Sequence, residues 1–303
     1  MLDLSVFDHA LILTGPTASG KSGIALALAQ QLHAEIISMD SMAVYRGMDI
    51  GTAKPTIADR QRVPHHLIDC LDPWESASVA WWLTEASRAT HEVIQRGKRA
   101  IIVGGTPLYL KALSCGLFES PEVDPKLRTE LEQQPAQLLY ERLLLVDPEA
   151  AARIHLNDHR RLVRALEVYL QTGRPLSDWQ QQFKAVPRAR PTHIICIDEP
   201  REELYRRIDA RVDAMMQMGW LEEVKRLLQL PKPLSKEAAQ AAGYRELAEH
   251  LRGSCTLEEA IAATKTRSRQ LAKRQLTWFR SFPGLLKLSP SEAEKHLAVT
   301  YLP

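Results

Sequence analysis

The chain has 303 residues, enough for one large domain or two ordinary ones of about 150 residues each. Its 45% hydrophobic and 25% charged residues match a soluble globular protein, exclude disordered, collagenous and coiled-coil classes, and allow a core without disulfides or metals. With 39 basic and 37 acidic side chains the net charge is +2, so only local clustering of charge can point to a nucleic-acid partner.

The opening, MLDLSVFDHALILTG, has no basic segment before its apolar run. Ala10–Leu13 is too short for a signal core or a membrane span. Cys70, Cys115, Cys196 and Cys255 are scattered, without zinc or redox spacing, and read as reduced thiols. A cytoplasmic protein with no membrane association is expected.

Ala10–Thr14, ending at Gly15-Pro16, reads as a buried parallel strand. Lys21–Leu32 reads as a helix, Ile36–Ser38 as a second strand, and Val79–Gln95 as a helix stopped by Gly97. Ala100–Val103 is a third strand closed by Gly104-Gly105; His193–Ile197 is a fourth, followed by a helix over Arg201–Met218. From about Leu113 to Arg190 the patterns are helical only. There Asp147-Pro148 reads as N-cap and first helical residue. Asn157 is expected to cap a helix that ends near Thr172-Gly173, with Leu162, Leu166, Tyr169 and Leu170 as its apolar stripe. Thr256 and Glu259 form a capping box for a last long helix reaching about Arg280. The expected fold is an α/β parallel-sheet core, residues 1–112 and 191–303, interrupted by an all-helical insertion, residues 113–190.

Gly15, Pro16, Thr17, Ala18, Ser19, Gly20, Lys21 and Ser22 fit the phosphate-loop pattern G-x-x-x-x-G-K-[ST], between a predicted strand and a predicted helix. Backbone N–H groups and the helix N-terminus cradle an anion, Lys21 adds a cation, and the Ser22 hydroxyl can ligate Mg²⁺. The motif is a nucleotide-binding one, as in ATP-binding proteins. It specifies a diphosphate or triphosphate but nothing of the base. Asp40 follows the second strand and faces the crevice where such folds bind ligands, as general base, Mg²⁺ partner or turn residue. Thr106 ends the third strand, facing the same crevice and able to cap a helix beginning at Pro107. His65-His66 near Asp69 lacks a third ligand at zinc spacing. Trp81-Trp82 reads as helix-face packing.

Lys265, Arg267, Arg269, Lys273, Arg274 and Arg280 fall in a stretch, Ile261–Arg280, that has no acid. Arg160, Arg161 and Arg164 decorate one helix of the insertion, and Lys184, Arg188 and Arg190 follow it. Such clusters can track a phosphate backbone, with Lys273 and Arg274 as candidate contacts. From residues alone, two readings stand: a small-molecule kinase using the loop for ATP, and a nucleotide-gated RNA-binding protein without chemistry. A zinc deaminase is excluded, since no H-x-E with P-C-x-x-C is present.

GPTASGKS at 15–22, DSMAVYRGMDIGTAKP at 40–55, VPHHLID at 63–69, VGGTPLYLKAL at 103–113, RRLVRALEV at 160–168, AGYREL at 242–247 and RQLAKRQLTWFR at 269–280 resemble the tRNA dimethylallyltransferase (tRNA isopentenyltransferase) family nearly end to end. The resemblance implies a P-loop-kinase-like core with a helical insertion that binds tRNA. It implies transfer of a dimethylallyl group from dimethylallyl diphosphate to N6 of the adenosine just 3′ of the anticodon, by a monomer using Mg²⁺. The loop would then hold the prenyl diphosphate rather than ATP. Asp40 would be the general base, Thr106 would position the adenine, and Arg211 would bind the diphosphate. Contacts to the anticodon stem-loop would fall on Asp40, Ser41, Met42, Ala43, Thr106, Arg128, Arg160, Arg161, Leu162, Val163, Arg164, Gln240, Ala241, Ala242, Gly243, Tyr244 and Arg245. The chain departs from the family where many members carry Gln in place of Ala43, and Tyr-Ser-x-x-Asp-Phe in place of Ala77–Trp82.

Overall fold

The computed structural model describes residues 4–117, 124–180 and 194–301. Lys184, Arg188, Arg190 and His193 lie outside the described residues. Two compact units are present: Met1–Ser114 with Pro187–Pro303, and Cys115–Val186.

The first unit is built on a six-stranded parallel sheet with β1 Ala10–Thr14, β2 Glu35–Ser38, β3 His65–His66, β4 Ala100–Gly104, β5 Ile194–Ile197 and β6 Leu286–Leu288. Their order across the sheet is β3-β2-β4-β1-β5-β6. The four apolar runs form the four central strands. β1, β2, β4 and β5 are buried along their whole length, as befits parallel strands covered on both faces. Ile12 and Leu13 are fully buried, each stabilising the fold by about 1.5–3 kcal/mol relative to exposure. β3 and β6 were not expected. With two and three residues they are too short for a hydrophobic period to show, and they form only because Ile36–Ile37 and Ile195–Ile197 offer edges to pair with.

Leu11 and Leu13 join Ile24, Ala25 and Leu28 of the Lys21–Leu32 helix and Leu297 of the Pro290–Tyr301 helix in one core cluster. The Val79–Gln95 helix, capped by Ser78, contributes Trp82, Ala86 and Val93 to the buried interior. Trp82 is fully buried, stacks on Tyr109 at 4.4 Å between ring centroids, and donates from its indole N–H to the Ser38 carbonyl at 2.9 Å. This packing role pins the end of β2 two residues before Asp40.

All regular secondary structure among the described residues of the second unit is helical. Asp147 caps the Pro148–Ala151 helix by accepting the Ala150 N–H at 2.9 Å, and its other oxygen accepts the Ser177 N–H at 2.9 Å. Two expectations need correction. The His159–Thr172 helix is capped by Asp158, not Asn157, because the Asp158 carboxylate reaches the Arg161 N–H. Its apolar stripe is Leu162, Val163, Leu166 and Val168; Tyr169 is half-buried and Leu170 is 45% exposed. The helix packs against both Pro125–Glu132 and Ala136–Val146, which turns its buried face toward those residues.

That face also buries a charge. Glu167 is fully buried and accepts two hydrogen bonds from Arg128, at 3.0 and 2.6 Å, and another from Arg164. Arg128→Met is expected to destabilise this unit by about 2 kcal/mol, because a buried carboxylate would keep only part of its compensation. Urea unfolding of the full chain would measure it.

Candidate active site

The C-terminal ends of β1, β2 and β4 converge, and the chain leaves each through a loop that carries polar groups. β1 sits between β4 and β5, where the chain crosses from one side of the sheet to the other, the usual ligand crevice of open α/β sheets. A cavity of about 480 Å³ opens there. It is lined by Thr17 from the loop after β1 with Lys21 and Ser22 at the start of the helix that follows, by Asp40–Ala43 after β2, and by Gly104–Thr106 at the end of β4 and just beyond it. Arg211, Ala241, Ala242 and Tyr244 line it from later in the chain. The structure therefore gathers twelve of the expected site residues, from five stretches of sequence, around one cavity within one unit: Thr17, Lys21, Ser22, Asp40, Ser41, Met42, Ala43, Thr106, Arg211, Ala241, Ala242 and Tyr244.

The loop has the features of an anion cradle. The Ser19 N–H bonds to the Pro16 carbonyl and the Thr17 N–H to Gln275. The N–H groups of Gly20, Lys21 and Ser22, at the start of the Lys21–Leu32 helix, find no acceptor among the described residues. The Ser19 hydroxyl is fully buried with no partner among the described residues, an uncommon state for a polar group that a bound anion would relieve. Lys21 donates to the Pro16 carbonyl at 3.1 Å, and burial pulls its ammonium down from 10.5 to about 8 against the attraction of Asp40. Arg211 reaches the Thr17 hydroxyl at 3.4 Å, with burial pulling its guanidinium below the usual value.

Asp40 is half-buried. Its Oδ1 accepts the N–H groups of Met42 at 2.8 Å and Ala43 at 3.2 Å, so it closes the turn after β2; its Oδ2 has no donor among the described residues. One oxygen thus does the turn work and the other remains available for chemistry. The Ala43 side chain is buried, and its N–H is what engages the site. The Thr106 hydroxyl accepts the Ser41 N–H at 3.2 Å, tying the β4 loop to the β2 loop. Close approach dictates glycine at 104, where a Cβ would fall 2.0 Å from the Met39 carbonyl oxygen.

Several side chains that sequence reading passed over hold this arrangement. Glu223 is buried and accepts the N–H groups of Asp49, Ile50 and Gly51 at 2.9, 2.8 and 3.3 Å and the Tyr244 hydroxyl at 2.6 Å. Burial and this carboxylate push the Tyr244 phenol far above its usual value, so it acts as a donor only. Lys54 bridges Asp49 and Asp69 at 2.6 Å each, and Arg60 also binds Asp69 at 2.6 Å. Despite burial, which raises it, these hydrogen bonds hold the Asp69 carboxyl below its usual range. Asp69 and the neighbouring histidines form no metal set. His66 bonds Glu35 and His65 bonds the Val63 carbonyl, and no cluster of three or more metal-ligating side chains occurs among the described residues.

Other expected residues fall elsewhere. Lys273 and Arg274 are exposed on the Leu257–Ser281 helix; Gln240, just after the Lys236–Ala239 helix, and Arg245, on the Tyr244–Leu251 helix, are exposed as well. The acid-free stretch is not free of acids in space: Lys265 pairs with Asp213 at 2.7 Å and Arg269 with Asp209 at 2.6 Å, both from the Arg201–Gln217 helix. In the helical unit, Leu162 and Val163 are core, so their side chains are not available to RNA. Arg128 and Arg164 are engaged by Glu167, whereas Arg160 and Arg161 are exposed.

The chain matches a family model described as IPP transferase over residues 43–282 and one described as isopentenyl transferase over residues 9–69. It is 49% identical to tRNA dimethylallyltransferase 1 of Citrifermentans bemidjiense over 269 residues, covering 89% of this chain and 88% of that protein. The chain belongs to the tRNA dimethylallyltransferase family. Among solved structures, the tRNA isopentenylpyrophosphate transferase of Bacillus halodurans superposes with a TM-score of 0.69 at 39% identity, covering 96% of this chain and 95% of that one. A eukaryotic dimethylallyltransferase acting on tRNA superposes with a TM-score of 0.77 at 29% identity, covering 95% and 77%. The chain shares its overall fold, a parallel sheet with helices, with these two structures. No helix among the described residues is long and apolar enough to cross a membrane.

Proposed function

We propose that the chain transfers a dimethylallyl group from dimethylallyl diphosphate to N6 of the adenosine on the 3′ side of the anticodon in tRNA. The observation that carries this reading is that the anion cradle, the Asp40 carboxylate and Thr106 line a single cavity. A phosphate-binding loop alone would suit a kinase. An aspartate and a threonine beside it, in a member of this family, suit an acceptor that must lose a proton.

The C1–O bond to the diphosphate breaks and a C1–N6 bond forms, giving N6-dimethylallyladenosine and pyrophosphate. Lys21, Arg211 and the loop N–H groups stabilise negative charge growing on the departing pyrophosphate. Asp40 takes the N6 proton as nitrogen donates its electrons, and Thr106 holds the base edge. The oxygen donors beside the loop, Ser22 and Asp40, suit Mg²⁺, which keeps several waters and takes other ligands from phosphate. When bound, Mg²⁺ would add charge neutralisation at the diphosphate.

Ser41, Met42, Ala241, Ala242 and Tyr244 would line the base's path. Lys273, Arg274, Arg160 and Arg161 would contact the RNA backbone. Flipping the adenosine from its stack costs a few kcal/mol, offset by such contacts. Incubation with dimethylallyl diphosphate and an anticodon stem-loop should therefore yield prenylated adenosine by nucleoside mass. The rate at sub-saturating RNA should fall steeply between about 50 and 200 mM salt. Transfer of γ-phosphate from ATP with no prenylated nucleoside would overturn the reading, and equal use of free AMP would overturn the choice of tRNA.

A further inference from the structure

We infer that Gln275 is a positioning residue for the transfer, its side-chain amide setting the spacing between the phosphate loop and the acceptor loop at Gly105-Thr106. The inference rests on the prenyl-transfer reading above. Gln275 lies on the Leu257–Ser281 helix, far in sequence from both loops, and is buried. Both ends of its amide are used. Oε1 accepts the Thr17 N–H at 2.9 Å, and Nε2 donates to the Gly105 carbonyl at 2.6 Å. A backbone donor on one side and a backbone acceptor on the other demand a group that is both; a carboxylate or an ammonium satisfies only one. The fit is close: a Cβ on Gly105 would stand 2.8 Å from Nε2 and 2.9 Å from the Gly15 carbonyl oxygen.

Each end of the bridge leads to one reaction partner. Thr17 carries the hydroxyl that Arg211 reaches, on the diphosphate side. Gly105 precedes Thr106, whose hydroxyl holds the Ser41 N–H beside Asp40, on the base side. Gln275 is thus the side chain that joins the leaving-group half of the site to the nucleophile half. It follows directly on Lys273 and Arg274, so the helix proposed to engage RNA is also the helix that carries the bridge. In-line transfer needs the reacting atoms about 3–3.5 Å apart, and a misplacement of about 1 Å can cost about 10²-fold in rate.

The test uses the full chain with dimethylallyl diphosphate and an anticodon stem-loop, comparing the unmodified protein with Gln275→Met and Gln275→Glu. Single-turnover rate, stem-loop affinity and melting temperature are measured across pH. Gln275→Met keeps the length and loses both hydrogen bonds, and should slow the single turnover by about 10–100-fold with stem-loop affinity unchanged. In Gln275→Glu, an ionised carboxylate would repel the Gly105 carbonyl. Its protonated form offers an O–H to that carbonyl and an oxygen to the Thr17 N–H, the pattern of the amide. Its rate relative to the unmodified chain at the same pH should therefore recover as pH is lowered, while that of Gln275→Met should not. Lower melting temperatures with unchanged single-turnover rates per folded molecule, and no acid recovery, would overturn the inference. Absence of prenylated adenosine with the unmodified chain would instead overturn the transfer reading.

Discussion

Asp40→Asn is expected to lower the single-turnover rate about 10²–10⁴-fold at saturating substrates while leaving the affinity for dimethylallyl diphosphate nearly unchanged. Asparagine isolates the chemistry from the geometry. Its amide oxygen can still accept the Met42 and Ala43 N–H groups that Oδ1 holds at 2.8 and 3.2 Å, so the turn after β2 survives. What is lost is the capacity of the second oxygen to take a proton. The exocyclic amine of adenine is a poor nucleophile because its lone pair is shared with the ring, and it becomes strongly acidic only as the C–N bond forms. A carboxylate in place at that moment lowers the barrier, and an amide does not. The comparison belongs near pH 7, because Asp40 also favours the charged form of Lys21, which must stay protonated in both proteins. Full turnover by Asp40→Asn would leave Asp40 with its turn role alone. Isothermal titration with the prenyl diphosphate, beside rapid-quench turnover, separates the two.

How much of this site could be read from the chain depends on how local each signal is. The phosphate loop and Asp40 were legible because each directly follows an apolar run long enough to mark a strand. β3 and β6 were not, because two or three residues carry no period. Gln275, Glu223 and Glu167 share a subtler signal. Each is a polar residue on the buried face of an amphipathic helix: Gln275 among Ala272, Leu276 and Phe279, Glu223 among Trp220, Val224 and Leu227, and Glu167 among Val163, Leu166 and Val168. A buried polar group needs a partner, so such a break in the stripe marks a tether to something distant. The partners could not be named from sequence, since Thr17 and Gly105 lie far from Gln275 along the chain. The same distance explains the basic stretch. Its acids, Asp209 and Asp213, are on another helix, and local charge counting could not see them.

Lys21→Met should lower kcat/KM for the prenyl diphosphate about 10²–10³-fold, the usual effect of removing one donor aimed at developing negative charge. The pH dependence of the unmodified chain gives a sharper test. Burial, opposed by Asp40 and aided by Arg211, holds the Lys21 ammonium at about 8 in the ligand-free protein. A diphosphate beside it favours the charged form and raises that value again. Binding above pH 8 must therefore take up a proton. KM for the prenyl diphosphate should be flat below that point and rise about tenfold per pH unit above it, until the raised value of the complex is reached. Folding follows the same linkage with its own sign. The folded-state value lies below 10.5, so between about 8 and 10.5 the unfolded chain binds more protons than the folded one. The contribution of Lys21 to the ligand-free protein is unfavourable below 8 and is relieved as pH rises through that window. Lys21→Met removes both dependences together. Melting temperature against pH, with and without dimethylallyl diphosphate, reads them: ligand stabilisation of the unmodified chain should shrink above pH 8, while that of Lys21→Met stays level. An unchanged ligand shift in the unmodified chain across that range would place the ammonium away from the bound anion, and the loop's grip would then rest on its backbone N–H groups and Arg211.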